Sequence, residues 1–153
     1  MTNLSYKVIQ KLHGRTLVTA ESCTGGGIGA ALTAVPGSSA VYKGGIISYT
    51  NWVKNTILQV DCKLLEELGA VSAPVAEQMA IGARALLQAD IAVSVTGLAG
   101  PDGDEYGNPV GTVFIGYSDC AKTKSFTFNF EGDREEVRNC AINAALEIIL
   151  NEA

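Results

Sequence analysis

Leu4, Val8 and Leu12 recur at four-residue spacing, which places them on one face of an opening helix. The pattern then shortens to a strand over 15–20, followed by a polar, glycine-rich turn over 21–27 and a small-residue helix over 28–35. Pro36 and Gly37 stop that helix, and the β-branched and aromatic bias of 41–50 predicts a second strand. Asn51 can cap a helix over 52–58 that carries Lys54, and a further short helix over 63–68 ends at Gly69. Ser72, Pro74 and Glu77 open the next helix, in which Val75, Met79 and Ala83 share one face up to about Gln88. An apolar run over 90–96 has the length and composition of a central parallel strand. Glycines, prolines and acids make 97–109 a long loop, and 110–117 with 124–130 read as an antiparallel hairpin. Asp133 caps a last helix whose apolar face is Val137, Ala141, Ala144, Ile148 and Ile149. The order α-β-α-β-α-α-α-β-β-β-α predicts an α/β fold, a three-layer α/β/α sandwich with a mixed central sheet.

Composition narrows what such a fold can do. The 153 residues suit one domain over 1–153. Hydrophobic residues at 47% and charged residues at 18% exclude global disorder. Eleven basic against sixteen acidic side chains leave a net charge of -5, which repels polyphosphate backbones and argues against nucleic acid as the main ligand. No apolar run approaches the roughly 18 residues of a membrane span, and 1–15 lacks the apolar region of a signal peptide. The expectation is a cytoplasmic protein with no membrane partner; a homo-oligomer remains compatible with the sequence. Cys23, Cys62, Cys120 and Cys140 form no C-x-x-C pair and are expected as reduced thiols. The single histidine, His13, excludes sites built from several imidazoles, so neither a catalytic metal nor a cofactor is expected. His13 itself reads as a solvated residue at the polar end of the first helix.

The candidate chemistry lies where strands end. Ser22, Cys23, Thr24, Gly25 and Gly26 fall between the first strand and the next helix, whose first amides have no intrahelical acceptor and can hold an anion or a developing oxyanion. The plainer reading is a tight turn with Ser22 or Thr24 as N-cap. Gly25-x-Gly27-x-x-Ala30 formally matches a dinucleotide fingerprint, but the second strand ends in Tyr49-Thr50-Asn51 with no carboxylate for a ribose. With histidine nearly excluded, a serine nucleophile must take a lysine or a carboxylate as base, and Lys54 at a helix start is the best candidate; the plainer reading is a solvated helix lysine. Cys23 is a rival nucleophile or a small buried residue. Thr96 ends the central strand in a second glycine-rich turn and either donates to a substrate or caps the loop. Arg134 stands at a helix start, where its charge opposes the dipole; an anionic ligand explains it, and so do Asp133, Glu135 or Glu136 as surface partners.

These segments resemble the CinA C-terminal domain family along nearly the whole chain. The resemblance is carried by Thr19-Ala20-Glu21-Ser22-Cys23-Thr24-Gly25-Gly26, Gly44-Gly45-Ile46-Ile47-Ser48-Tyr49-Thr50-Asn51-Trp52-Val53-Lys54, Thr96-Gly97-Leu98-Ala99-Gly100-Pro101 and Gly132-Asp133-Arg134, with 32–39, 69–72 and 109–112 between them. It implies a metal-independent amidohydrolase of the family's single-domain kind, which converts nicotinamide mononucleotide and water to nicotinate mononucleotide and ammonia. In that reading Ser22 is the nucleophile, Lys54 its base, and Tyr49, Thr96 and Arg134 line the substrate site, with the glycine-rich turn holding the oxyanion. Asn108 departs from the family, where a lysine is common before the proline. The alternative is a non-catalytic nucleotide-binding or regulatory module, in which the glycine turns bind phosphate and Ser22 only hydrogen-bonds.

Overall fold

A computed structural model describes residues 2–153, so that Met1, part of the amphipathic start, lies outside the described residues. The elements are α1 (Thr2–Lys11), β1 (Leu17–Glu21), α2 (Gly27–Thr33), a 3-10 turn (Ser38–Ala40), β2 (Tyr42–Ile47), α3 (Asn51–Thr56), α4 (Cys62–Leu68), α5 (Ala73–Leu86), β3 (Ile91–Gly97), β4 (Thr112–Ser118), β5 (Thr123–Asn129) and α6 (Arg134–Glu152). They form one five-stranded sheet in the order β2-β1-β3-β4-β5. β1 runs parallel to β2 and β3, with Leu17 opposite Ile91 and Glu21 opposite Val95. β4 and β5 add on antiparallel, Thr96 facing Phe114. The sheet is therefore mixed.

Alternation along the central strands builds two cores. Leu17, Val93 and Ile115 point to one face, where Val8 and Leu12 of α1, Ile28 and Leu32 of α2, and Val137 and Ile149 of α6 cover them. Val18, Ala20 and Ala92 point to the other, under Val75, Met79 and Ala83 of α5 with Leu58, Val60 and Leu65. Helices on both faces explain why β1 is buried at every position instead of every second one. Each fully buried aliphatic side chain contributes about 1.5–3 kcal/mol. The α5 side is lined by small residues, which lets that helix come close. A Cβ on Gly116 would lie 2.3 Å from the Ala76 carbonyl oxygen, and Ser94 Oγ donates to that same oxygen at 2.5 Å. Any side chain at 116 would push α5 off the sheet.

Several boundaries differ from the sequence-based expectation, each for a local reason. β1 extends through Glu21, whose carboxylate is buried instead of forming part of a polar turn. Thr50, not Asn51, caps α3, its hydroxyl accepting from the Val53 amide. Asp61 caps α4 by accepting from the Lys63 amide. Helix α5 stops short of Gln88, which takes a left-handed φ of 52°. The 97–109 loop is pinned: Tyr106 Oη donates to the Glu66 carbonyl, and Asn108 Nδ2 donates to the Val71 carbonyl at 3.1 Å and to Asp104 at 2.9 Å. The departure at Asn108 thus supplies an amide that ties this loop to the α4–α5 connection. Asp133 and Glu136 form a reciprocal capping box at the start of α6. Among the described residues no helix is long and apolar enough to cross a membrane.

The first connection carries the chain from β1 through α2 out to β2, and the second returns it past β1 to β3. The carboxyl ends of β1 and β3 therefore flank a point where the winding reverses, the place where open α/β sheets leave a crevice.

Candidate active site

Ser22 follows β1 directly, and its amide donates to the Val95 carbonyl at 3.0 Å, so its position is tied to β3. The Gly25 amide donates back to the Ser22 carbonyl at 3.1 Å. Gly25 and Gly26 have φ of 58° and 99°, left-handed conformations that glycine adopts without the Cβ penalty. They turn the chain from strand into α2. Beneath the turn, Glu21 Oε1 accepts from Thr24 Oγ1 at 2.7 Å and from the Ile28 amide at 2.8 Å, and Oε2 accepts from the Gly29 amide at 3.0 Å.

That arrangement corrects the expectation for the start of α2. Its amides are already occupied, two by Glu21 and those of Gly27 and Ala30 by the carbonyls of Thr24 and Gly26. A carboxylate stands where a pyrophosphate would have to approach, which removes the dinucleotide reading. Of the three turn residues expected at the substrate, Thr24 is fully buried with its hydroxyl spent on Glu21, and Thr24, Gly25 and Gly26 do not line the cavity described below. Among the described residues, the amides of Cys23 and Thr24 have no intramolecular acceptor.

Lys54 is 1% exposed, which overturns the picture of a solvated helix lysine. Its Nζ donates to Ser22 Oγ at 3.0 Å and to the Ser48 carbonyl at 2.6 Å. The Ser48 amide in turn donates to the Glu21 carbonyl at 2.8 Å, which keeps this carbonyl and α3 in register with β1. Among the described residues the ion pairs lie elsewhere, where Lys122 and Lys124 meet Glu152. Burial without a counter-charge disfavours the ammonium and pushes the Lys54 pKa down to about 8. Burial acts in the opposite sense on Cys23, whose thiol is pushed up to about 11. The neighbouring residues thus differ sharply: Ser22 has a base within reach, whereas Cys23 is held as a neutral thiol.

Beside this pair opens a cavity of about 360 Å³, lined by Ser22, Cys23, Lys54, Tyr49, Thr96 and Arg134, by Ala70 and Val71, and by the loop from Gly97 to Asp102. Thr96 is buried and its hydroxyl donates to the Ala70 carbonyl at 2.7 Å, so it closes the cavity wall while keeping its lone pairs. Arg134 is exposed at the rim, where its guanidinium donates to the Gly100 carbonyl at 2.6 Å and to Tyr49 Oη at 3.3 Å. His13 lies exposed just after α1, away from the cavity lining. The four cysteines are unbridged. Among the described residues no group of three or more His, Cys, Asp or Glu side chains converges as metal ligands would.

Three participants were invisible in the sequence. The Ser48 carbonyl carries no side-chain signal, and the buried Glu21 reads as an ordinary loop acid. Arg138 donates from Nε to the Cys23 carbonyl at 3.0 Å and from its terminal nitrogen to the Thr24 carbonyl at 3.2 Å. Its spacing of four from Arg134, one turn of α6, is the signal that could have marked it.

Residues 1–153 match the CinA C-terminal domain. The chain is 50% identical over 134 residues to a CinA-like protein of Citrifermentans bemidjiense, covering 88% of this chain and 32% of that protein. It is 56% identical over 115 residues to a CinA-like protein of Synechococcus sp. strain CC9311, covering 74% and 27%. It thus spans about a third of the length of the curated relatives it matches. Among solved structures, the competence damage-inducible protein A of Klebsiella pneumoniae superposes with a TM-score of 0.96 at 37% identity, covering 99% of this chain and 95% of that one. A competence-damaged protein (CinA) superfamily protein of Escherichia coli gives 0.97 at 36% identity, with 99% and 90% covered.

Proposed function

The chain belongs to the CinA C-terminal domain family, and from that premise we propose that it is a metal-independent amidohydrolase that deamidates nicotinamide mononucleotide. The observation that carries the reading is the buried contact of Lys54 Nζ with Ser22 Oγ at 3.0 Å on the wall of a cavity of small-molecule size. A lysine with a pKa of about 8 is neutral in a useful fraction near neutral pH. The neutral amine keeps one proton on the Ser48 carbonyl and presents its lone pair to the Ser22 hydroxyl.

In the proposed reaction Lys54 takes the Ser22 proton as Oγ attacks the carboxamide carbon of the substrate. The oxygen of the tetrahedral intermediate is held by backbone amides of the turn after Ser22. Lys54 passes its proton to the departing nitrogen, ammonia leaves, and an ester joins Ser22 to the nicotinoyl group. Water then attacks that ester with Lys54 again accepting the proton, and the proton returns to Ser22 Oγ as nicotinate mononucleotide is released. Arg134 at the rim supports a mononucleotide substrate because a guanidinium pairs bidentately with phosphate. The protein's negative charge favours a small ligand over a nucleic acid.

Incubation of the purified protein with nicotinamide mononucleotide, with ammonia and nicotinate mononucleotide measured, tests the proposal. Stoichiometric formation of both products supports it. Binding of the mononucleotide without release of ammonia would leave the site as a non-catalytic nucleotide-binding or regulatory module.

A further inference from the structure

Resting on the serine–lysine reading above, we propose that Arg138 is a positioning residue that holds the turn after Ser22 so that the backbone N–H of Cys23 faces the oxyanion formed when Ser22 attacks its substrate. The start of α2 cannot supply this donor, because Glu21 holds the amides of Ile28 and Gly29, and turn carbonyls hold those of Gly27 and Ala30. Among the described residues of the turn, the amides of Cys23, Thr24 and Gly26 are without a backbone acceptor, and of these three residues Cys23 alone lines the cavity, Thr24 being fully buried.

The direction of the Cys23 N–H is set by the carbonyl that shares its peptide plane. In a trans peptide the carbonyl and the following N–H point to opposite sides. The Ser22 carbonyl is held by the Gly25 amide, which orients the Cys23 N–H. The Cys23 carbonyl is held by Arg138 Nε at 3.0 Å, which fixes the next peptide plane. The Thr24 carbonyl is gripped by the second guanidinium nitrogen at 3.2 Å and by the Gly27 amide at 2.9 Å, which keeps the Gly25 amide, on the same peptide plane, directed at the Ser22 carbonyl. One planar fork therefore spans two consecutive carbonyls of the turn, a geometry that an ammonium cannot reproduce. Among the described residues no carboxylate pairs with Arg138, so its charge adds to the field at the turn where negative charge develops.

The test compares Arg138→Met and Arg138→Lys with wild type in two assays. The first is turnover of nicotinamide mononucleotide. Deleting a single oxyanion donor typically costs 10²–10³ in kcat, and misaiming one costs less. Arg138→Met is expected to lower kcat about 10- to 100-fold with KM changed by less than about threefold, because this donor acts on the transition state. Arg138→Lys is expected to recover part of that loss, since it grips one carbonyl but not both. The second assay is the rate at which an alkyl fluorophosphonate modifies Ser22. There the Oγ–P bond forms, fluoride leaves, the serine proton passes to Lys54, and the phosphoryl oxygen needs the same donor. Both variants are expected to label more slowly than wild type, Arg138→Met most.

Because labelling does not depend on the natural substrate, the two proposals separate. Wild type that labels at Ser22 but releases no ammonia overturns the deamidase reading, while slower labelling of the Arg138 variants still supports the positioning role. Arg138→Met that labels and turns over within threefold of wild type overturns the positioning role, as does a KM that rises as much as kcat falls. If melting curves show that Arg138→Met does not fold, the kcat-to-KM split of Arg138→Lys decides. Wild-type Ser22 that resists the probe altogether overturns the serine–lysine reading and, with it, the positioning role.

Discussion

Ser22 and Cys23 are adjacent, both line the cavity, and only their surroundings separate a nucleophile from a spectator. Ser22 Oγ has Lys54 Nζ at 3.0 Å, whereas burial holds the Cys23 thiol at a pKa of about 11. Ser22→Ala is therefore expected to lower kcat on nicotinamide mononucleotide by at least 10³-fold with the fold intact, and Cys23→Ala by less than about tenfold. Ammonia release by the two variants checks this, and the reverse ranking would transfer the nucleophile to Cys23. Lys54 fixes the pH dependence. Its pKa is lowered, so the proton that blocks the base is lost as pH rises through about 8. The kcat/KM profile should climb about tenfold per pH unit below that value and level above it. Lys54→Arg should be nearly as inactive as Lys54→Ala, because a guanidinium keeps the charge and does not deprotonate in this range. A flat profile, or an active Lys54→Arg, would make Lys54 an electrostatic contact only. Ser22 and Lys54 could be proposed from residue type and position, but the distinction from Cys23 rested on the contact of Lys54 with Ser22 Oγ across 32 residues, which no local pattern encodes.

At the scale of elements, α2 depends on a residue that is not in it. Its seven residues are too few to be a stable helix alone. Glu21, the last residue of β1, reaches across the turn and accepts from the amides of Ile28 and Gly29. Glu21→Gln keeps the shape but turns an N–H₂ donor toward these donors. Leaving a buried donor unsatisfied and losing charge-assisted bonds costs about 2–4 kcal/mol, or roughly 5–15 °C in Tm. Thermal and urea melts should show this loss, whereas Glu105→Gln on the exposed loop should shift stability by less than about 0.5 kcal/mol. Equal stability of the two variants would show that α2 is held by its apolar face against the sheet alone. The existence and order of the elements were legible from periodicity and punctuation, as at Gly69 and Asp133, where the caps fall as expected. Thr50 was missed as the cap of α3 because adjacent Thr and Asn carry the same capping chemistry, and it is Thr50 whose extended backbone lets its hydroxyl accept from the Val53 amide.

At the scale of the molecule, the cavity is assembled from ends that lie far apart in the chain: the turn after β1, the connection from β2 to α3, the loop after β3 and the first turn of α6. Arg134 joins two of these ends by its bonds to Gly100 and Tyr49. As the phosphate contact it would act equally in ground and transition states, so Arg134→Ala should raise KM for nicotinamide mononucleotide with a smaller effect on kcat. Loss of a charge-assisted contact, about 1.5–3 kcal/mol, corresponds to roughly 10- to 100-fold in kcat/KM. Nicotinamide riboside lacks the phosphate, and the variant should harm its slow turnover far less. Equal losses on both substrates would assign Arg134 to holding the loops in place. The sequence by itself determined the α/β class, the order of elements, the glycine turns and the residue types able to do acyl chemistry, because period, caps and turn residues act over a few neighbours. It resembled a family at the same positions, and the match over residues 1–153 established membership. Only the tertiary structure decided which of those groups meet. The sheet order brings Lys54 to Ser22 across 32 residues, buries Glu21 under the turn and lays Arg138 against Cys23 and Thr24. Burial and long-range contact set the proton affinity of Lys54 and the direction of each amide, and both depend on packing between distant segments that no local pattern contains.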